Sequence, residues 1–318
     1  MSTILVTGGA GFIGSHLCEK LICLGYDVIC LDNFNDGYSP LIKRNNVAKA
    51  IRHSQYRLVE GDILDGDLVD NLVKQSEVEA IVHLAALAGV RRSILDPLDY
   101  VDVDIKGTVI LLEACKKHRI KKFVFASSSS VYGANTAPFK EFDPLSAQTS
   151  PYATAKYCGE LYCRTYNLLY GIPTVCLRFF TVYGPRQRPD MAIHIFTKAI
   201  HEDRELCIYG DGSSSRDYTY IDDIVDGIVS SLNLQHNFEV INLGNSNAIN
   251  IKNLVEVIES KLAKHARIRF LPEQQGDVPT TCADISKAVN LLGYTPKVKL
   301  DEGIERFVNW YENSTNSS

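Results

Sequence analysis

The sequence of 318 residues lacks the features that mark several classes of protein. No run of basic residues stands out, and 33 Lys and Arg against 38 Asp and Glu give a net charge of −5, so we expect no nucleic-acid partner. No segment is apolar for long enough to span a membrane, so we expect no membrane association. Residues 1–14 lack the basic start, apolar stretch and cleavage site of a signal peptide.

Cysteine occurs nine times but never as a C-x-x-C pair, and neither cysteine nor histidine recurs at a spacing typical of metal ligands. We therefore expect no metal site. Cys18, Cys23, Cys30 and Cys176 fall in apolar patterns, where cysteine behaves as a small hydrophobic residue. A cytoplasmic location is expected, because that compartment keeps thiols reduced.

Short runs rich in β-branched residues recur along the chain, and each is followed by a stretch with helical spacing. The runs are residues 4–7, 28–31, 57–60, 80–83, 123–127 and 174–178. This alternation predicts an α/β fold with a doubly wound parallel sheet (Rossmann), helices on both faces and ligands bound beyond the carboxyl ends of the strands.

After Thr181 the pattern changes to a loop-rich region, and residues 239–243 predict one more strand that returns to the sheet. We therefore expect a Rossmann domain from residues 1–180 and 222–247. A smaller α/β substrate-binding domain would be built from the discontinuous segments 181–221 and 248–318.

A glycine-rich turn, residues 8–14, joins the first predicted strand to the first predicted helix. Without Cβ atoms this turn can approach a pyrophosphate, whose charge is favoured at a helix N-terminus. Asp32 at the end of the next strand can accept hydrogen bonds from ribose hydroxyls and would repel a 2′-phosphate, which favours NAD over NADP. The residues expected at the cofactor here are Gly8, Gly11, Phe12, Ile13, Gly14, Asp32, Asn33, Asp62 and Ile63.

Tyr152 and Lys156 lie one turn apart in a helix predicted to begin at Ser150 and Pro151. A tyrosine, whose pKa is ordinarily about 10, must lose about three units to accept a proton near neutral pH. A cation about 4 Å away supplies roughly that much at an effective dielectric constant near 20. A surface Tyr beside a solvated Lys is the alternative, but the serines at 127–130 place hydroxyls at the carboxyl edge of the sheet and favour a catalytic pair.

Together these residues resemble the extended short-chain dehydrogenase/reductase family, from the glycine turn to residues 283–287. The resemblance implies that Ser128 is the catalytic hydroxyl, Tyr152 the base, and Lys156 the residue that holds the nicotinamide ribose and acidifies Tyr152. Asp104 departs from the pattern, since the family usually carries Asn there, and it could alter hydrogen bonds that order the central strands. Further cofactor contacts are expected from Leu84, Ala85, Ala86 and Phe180.

The same resemblance narrows the reaction. Similar enzymes oxidise C4 of a nucleotide sugar; dehydratases add an Asp-Glu pair and glucuronate decarboxylases a Glu where this chain has Ser129 and Ser130. The implied reaction is 4-epimerisation of a UDP-sugar with Tyr152 as the base: hydride transfer to NAD, rotation of the 4-keto sugar, and return of the hydride to its other face.

Substrate recognition is expected to need cations in this acidic protein, and Arg91, Arg188 and Arg216 are the candidates. By resemblance, Tyr209 lies where uracil binds and Asp277 meets the uridine ribose. Residues 181–192 resemble UDP-glucuronate 4-epimerases. The implied substrate contacts at the sugar are Ser128, Ser129, Ser130, Tyr152, Thr181 and Arg188, and the implied reaction is UDP-glucuronate to UDP-galacturonate.

Several alternatives stay open. One is 4-epimerisation of UDP-glucose or its N-acetyl form, for which the small Thr281 would leave room. Others are a catalytically silent NAD-binding sensor and a structural partner protein, which need not keep Ser128, Tyr152 and Lys156 together. Residues 104–118 and 152–170 predict helices that are apolar on more than one face; the resemblance makes them a four-helix homodimer interface, whereas burial within one subunit is the alternative.

Overall fold

The computed structural model describes residues 2–145, 147–273 and 278–315. The strands in these residues are β1 (Thr3–Thr7), β2 (Asp27–Asp32), β3 (Tyr56–Glu60), β4 (Val78–His83), β5 (Lys122–Ser128), β6 (Thr174–Phe179), β7 (Thr181–Tyr183), β8 (Glu205–Tyr209), β9 (Ser215–Tyr220), β10 (Phe238–Leu243), β11 (Ala248–Asn250) and β12 (Arg267–Leu271). The helices are α1 (Phe12–Cys23), α2 (Pro40–Val47), α3 (Gly66–Gln75), α4 (Val90–Leu95), α5 (Pro97–Tyr100), α6 (Gly107–His118), α7 (Pro151–Tyr170), α8 (Ala192–His201), α9 (Ile221–Leu232), α10 (Ile251–Leu262), α11 (Ser286–Leu292) and α12 (Leu300–Thr315). A π-helical turn, Val101–Lys106, joins α5 to α6.

Seven strands form the central sheet in the order β10-β6-β5-β4-β1-β2-β3, and every pair is parallel. All seven strands predicted from the sequence are present, each longer than predicted by at most two residues at either end. The doubly wound fold is therefore confirmed. The strand order reverses between β1 and β4, which opens a crevice beyond their carboxyl ends.

Helices cover both faces of the sheet because neighbouring strand residues point to opposite sides. On β1, Ile4 and Val6 join one hydrophobic cluster with α1 and α9. Leu5 joins the other cluster with α3, α6 and α7. Both faces are thus buried, which explains why the strands read as continuous apolar runs.

The chain beyond β6 adds two small sheets outside the central one. One has the order β11-β9-β7 and the other pairs β12 with β8 in parallel. Helices α8, α10 and α12 pack beside them, and one apolar cluster runs without interruption from Val124 in the central sheet to Leu254 and Phe307. The two parts of the fold therefore share a core.

A buried carboxylate ties the second part together. Asp217 on β9 is fully buried; its Oδ1 accepts hydrogen bonds from the amide of Asn245 at 2.7 Å and from Thr219 Oγ1 at 3.2 Å. Its Oδ2 accepts from the amides of Ser246 at 2.9 Å and Ala283 at 3.0 Å. Three chain segments therefore meet at one side chain.

Replacement of Asp217 by alanine is expected to lower the free energy of unfolding by about 3 kcal/mol, because three backbone amides lose their buried acceptor. Urea denaturation of wild type and Asp217→Ala would measure this. The exposed Glu256→Ala on α10 is the control and should change stability by less than about 0.5 kcal/mol. A loss for Asp217→Ala as small as the control's would contradict the prediction.

Candidate active site

A single cavity of about 1270 Å³ lies in the crevice where the strand order reverses. It runs from the glycine turn after β1, past the end of β4, to loops of the second part of the fold. With one exception, every residue predicted for the site lines this cavity. The exception is Asp277, which lies outside the described residues.

The glycine turn has the geometry that an approaching anion requires. Gly8 has a φ of +69°, and a Cβ there would lie 2.6 Å from the amide nitrogen of Ala85. A Cβ on Gly14 would overlap the carbonyl oxygen of Gly8. Helix α1 begins at Phe12, and its N-cap residue Gly11 offers no side chain to the free amides. The turn therefore fits the pyrophosphate of a dinucleotide.

Asp32 lies at the end of β2, as predicted, and is buried beside the glycine turn. Its carboxylate accepts hydrogen bonds from the amides of Ala10 at 3.0 Å and Phe34 at 2.8 Å. A carboxylate has about four acceptor sites, so capacity for a ribose hydroxyl remains. Beside it, the side-chain amide of Asn33 donates a hydrogen bond to Asp62 Oδ2 at 2.9 Å. Both of these residues also line the cavity.

Two residues of the β2–α2 segment line the cavity and were not predicted. The hydroxyl of Tyr38 is buried, has no hydrogen-bond partner among the described residues, and lies 4.0 Å from the position of a Cβ on Gly11. Lys43 is buried, donates to the carbonyl of Asn35 at 2.7 Å and lies 5.0 Å from the centre of the Tyr38 ring. Burial lowers the pKa of Lys43. No motif in the sequence marks these residues, because their place depends on how α2 folds back over the turn.

The predicted catalytic side chains meet at the carboxyl edge of β5. Ser128 ends β5 and donates to Ser130 Oγ at 3.2 Å. Helix α7 begins as predicted, with Ser150 accepting a hydrogen bond from the amide of Ala153, and carries Tyr152 and Lys156 on one side. The Lys156 ammonium lies 5.9 Å from the centre of the Tyr152 ring. A hydroxyl, a phenol and a cation thus line one cavity wall.

Lys156 also has a partner that the sequence did not predict. Its Nζ lies 3.5 Å from Oδ2 of Asp104, and both side chains are almost completely buried. Oδ1 of Asp104 accepts a hydrogen bond from the amide of Leu87 at 2.7 Å, which anchors the loop after β4. Asp104 therefore belongs to the environment of Lys156 rather than to the sheet hydrogen bonds.

The three predicted arginines occupy different parts of the cavity wall. The Arg188 guanidinium donates to both carboxylate oxygens of Asp190, at 3.0 and 2.7 Å. Arg91 stacks over the ring of Tyr209, 4.8 Å from its centre. Arg216 donates to the carbonyl of Ser215 at 2.9 Å. All three guanidinium groups therefore line the cavity.

Comparison with known proteins places this geometry in a family. A model of the NAD dependent epimerase/dehydratase family matches residues 4–244. The chain belongs to this family. It is 46% identical over 314 residues to an uncharacterized protein of Methanocaldococcus jannaschii, covering 97% of this chain and 95% of that protein. It is 41% identical over 311 residues to a UDP-glucuronate 4-epimerase of Thermodesulfobacterium geofontis, covering 98% and 96%.

A solved structure is also similar to this chain over nearly its whole length. It is the UDP-glucuronic acid 4-epimerase from Bacillus cereus in complex with UDP-glucuronic acid and NAD. The two chains share 41% identity with a TM-score of 0.94, covering 98% of this chain and 99% of that one. The family predicted from the sequence is thereby confirmed.

Two structural features are absent from the described part of the chain. Among those residues, no helix is both long and apolar enough to cross a membrane. The same residues contain no group of three or more His, Cys, Asp or Glu side chains that could hold a metal ion.

The orphaned hydroxyl of Tyr38 leads to a prediction about the cofactor. Tyr38→Phe should weaken NAD binding by about tenfold, because a hydrogen bond to a charged phosphate in a buried site is lost. Isothermal titration calorimetry on cofactor-stripped protein would measure the change. Tyr56→Phe removes a second buried hydroxyl, outside the cavity lining, and should leave NAD affinity unchanged. Equal affinities for the two variants would contradict the prediction.

Proposed function

We propose that the protein is an NAD-dependent UDP-glucuronate 4-epimerase that forms UDP-galacturonate. The observation that carries this proposal is one cavity that joins a dinucleotide-type glycine turn to Ser128, Tyr152, Lys156 and an arginine beside the phenol. The identity of about 41% with two UDP-glucuronate 4-epimerases over nearly the whole chain supports the substrate.

NAD fits the first half of the cavity, where Gly8 to Gly14 would hold the pyrophosphate, Asp32 a ribose, and residues 84–86 with Phe180 the side of the dinucleotide. When bound, NAD accepts the hydride from C4 of the sugar and later returns it. The further steps depend on side chains of this chain.

Tyr152 accepts the proton of the C4 hydroxyl and returns it to the 4-keto oxygen, and Ser128 donates a hydrogen bond to the same oxygen. The Lys156 ammonium favours the phenolate form of Tyr152. Ser129 and Ser130 offer hydroxyls and no carboxylate, so the serine strand supplies no acid for elimination. Rotation of the keto sugar between the two hydride transfers then inverts C4.

Arg188 is the proposed partner of the substrate's C6 carboxylate, with Ser129, Ser130 and Thr181 completing that contact. In the structure its guanidinium is already engaged by the two carboxylate oxygens of Asp190. In this pair Arg188 presents the Nε–Nη2 edge of its guanidinium to a carboxylate in a bidentate manner. Asp190 is over half exposed and free to yield to a substrate group. Arg91, Tyr209, Arg216 and Asp277 are proposed to bind the uridine diphosphate.

Purified wild-type protein should convert UDP-glucuronate to UDP-galacturonate, as followed by anion-exchange chromatography. Tyr152→Phe should lower kcat at least a thousandfold with little change in folding, because the proton acceptor is lost.

Arg188→Leu should raise KM for UDP-glucuronate by about a hundredfold, since a bidentate ion pair is removed. Arg269→Leu, an exposed arginine that is paired with Glu205 and does not line the cavity, is the matched control. Turnover of UDP-glucose or UDP-N-acetylglucosamine in place of UDP-glucuronate would overturn the substrate assignment.

The domain limits proposed are residues 1–180 and 222–247 for NAD, and residues 181–221 and 248–318 for the nucleotide sugar. The placement of the central sheet in the first set and the two small sheets mainly in the second supports this division. A cytoplasmic location is also proposed. It is supported by nine cysteines that are all free thiols, five of them buried together with apolar residues.

A homodimer through the helices of residues 104–118 and 152–170 is proposed as well. Large apolar side chains are exposed on α7, namely Leu161, Leu168 and Leu169, and on α5 and the π-helical turn that lead into α6, namely Leu98 and Val101. Pairing two such helices from each subunit would bury this surface in a four-helix bundle.

Leu98→Glu combined with Leu168→Glu should convert a dimer to a monomer in sedimentation velocity experiments, because buried charges oppose association. The control pair Leu41→Glu and Phe270→Glu changes exposed apolar residues elsewhere and should stay dimeric. A wild-type monomer would contradict the proposed interface.

A further inference from the structure

Lys156 is paired with an acidic residue that does not itself line the cavity. Asp104 lies in the π-helical turn between α5 and α6, and its side chain has no exposed surface. Oδ1 accepts the Leu87 amide, while Oδ2 faces Lys156 at 3.5 Å and makes no hydrogen bond with any described residue. π-Helical turns are rare and often occur at functional sites.

A carboxylate buried in this way needs a compensating charge. Among the described residues, Lys156 is the one cation within 4 Å of it. His83 on β4 lies close to Lys156, but burial lowers its pKa to about 3, and its ring is hydrogen bonded between Thr7 and Thr108. His83 is therefore neutral and offers no charge. Tyr100 on α5 lies close enough to interact with both Asp104 and Tyr152. Arg92 on α4 and Arg188 after β7 interact with Tyr100, and Arg188 also interacts with Tyr152.

The Lys156 ammonium thus lies 3.5 Å from the Asp104 carboxylate and 5.9 Å from the centre of the Tyr152 ring. We propose that Asp104 is a positioning residue that holds Lys156. Because its carboxylate offsets part of the Lys156 positive charge, Asp104 also sets the pH at which Tyr152 accepts the substrate proton. The inference rests on the proposed function, because that function gives Tyr152 its role as a base.

The negative charge of Asp104 opposes ionisation of the Tyr152 phenol. Burial raises the pKa of Asp104, whereas the nearby Lys156 ammonium lowers it, and the two oppose each other. When Asp104 is ionised, it offsets part of the positive field that favours the Tyr152 phenolate. Removal of this negative charge leaves Lys156 uncompensated, so the phenol should ionise at lower pH.

Asp104→Asn is the first test, since the Asn side-chain oxygen can still accept the Leu87 amide while the charge is lost. The acid limb of the kcat/KM profile for UDP-glucuronate should move about one pH unit lower, which is about tenfold in rate on that limb. The maximal rate should change much less. A residue with a purely structural role would alter stability or the plateau without moving the limb.

A second readout requires no turnover. The tyrosinate absorbance of NAD-loaded protein near 295 nm, after subtraction of the same titration for Tyr152→Phe, isolates the ionisation of Tyr152. This difference titration should show the same downward shift in Asp104→Asn. Asp223→Asn is the matched control: Asp223 is a buried carboxylate that accepts two backbone amides, from Lys297 and Val298, and it should leave both profiles in place.

Superimposable profiles for wild type and Asp104→Asn would overturn the inference. Should the Asn variant not fold, Asp104→Ser removes the same charge with a smaller side chain and should give the same shift; an unshifted titration would again overturn it. A wild-type protein that epimerises no UDP-sugar would contradict the proposed function instead, and the absorbance titration would still decide the role of Asp104.

Discussion

The site depends on a single buried ammonium group. Lys156 lies on the wall of the cavity, close to both the Tyr152 phenol and the Asp104 carboxylate. Almost no water reaches it, so its charge acts strongly on both neighbours. The α7 helix that carries Lys156 is in turn fixed by its Ser150 cap and by packing on the central sheet, so the cation is positioned by the fold rather than by solvent.

The other close neighbours of Lys156 are uncharged. The His83 ring is hydrogen bonded to two threonines, and its burial lowers its pKa to about 3, so it is neutral in the physiological range. The Phe125 ring lies 5.4 Å from the ammonium and adds an apolar contact with a favourable electrostatic face. Asp104 and Tyr152 are therefore the ionisable groups that interact most directly with the Lys156 charge.

In the second half of the cavity, neighbouring side chains already orient two arginines. Arg188 is held by Asp190, and Arg91 by the Tyr209 ring. An arginine already oriented in this way loses little side-chain entropy when an anion binds. The glycine turn achieves the same end with backbone amides, which need no ordering once α1 has formed.

Sequence by itself determined the sheet, the glycine turn, the Asp32 position and the Tyr152–Lys156 spacing, because these depend on local periodicity and on contacts within one or two turns. It did not identify Tyr38, Lys43, Asp190 or the partner of Lys156. Tertiary structure decided these: Asp104 and Lys156 are 52 positions apart and meet because a π-helical turn packs against α7. Such contacts arise from the packing of whole elements, which no local pattern of residues encodes.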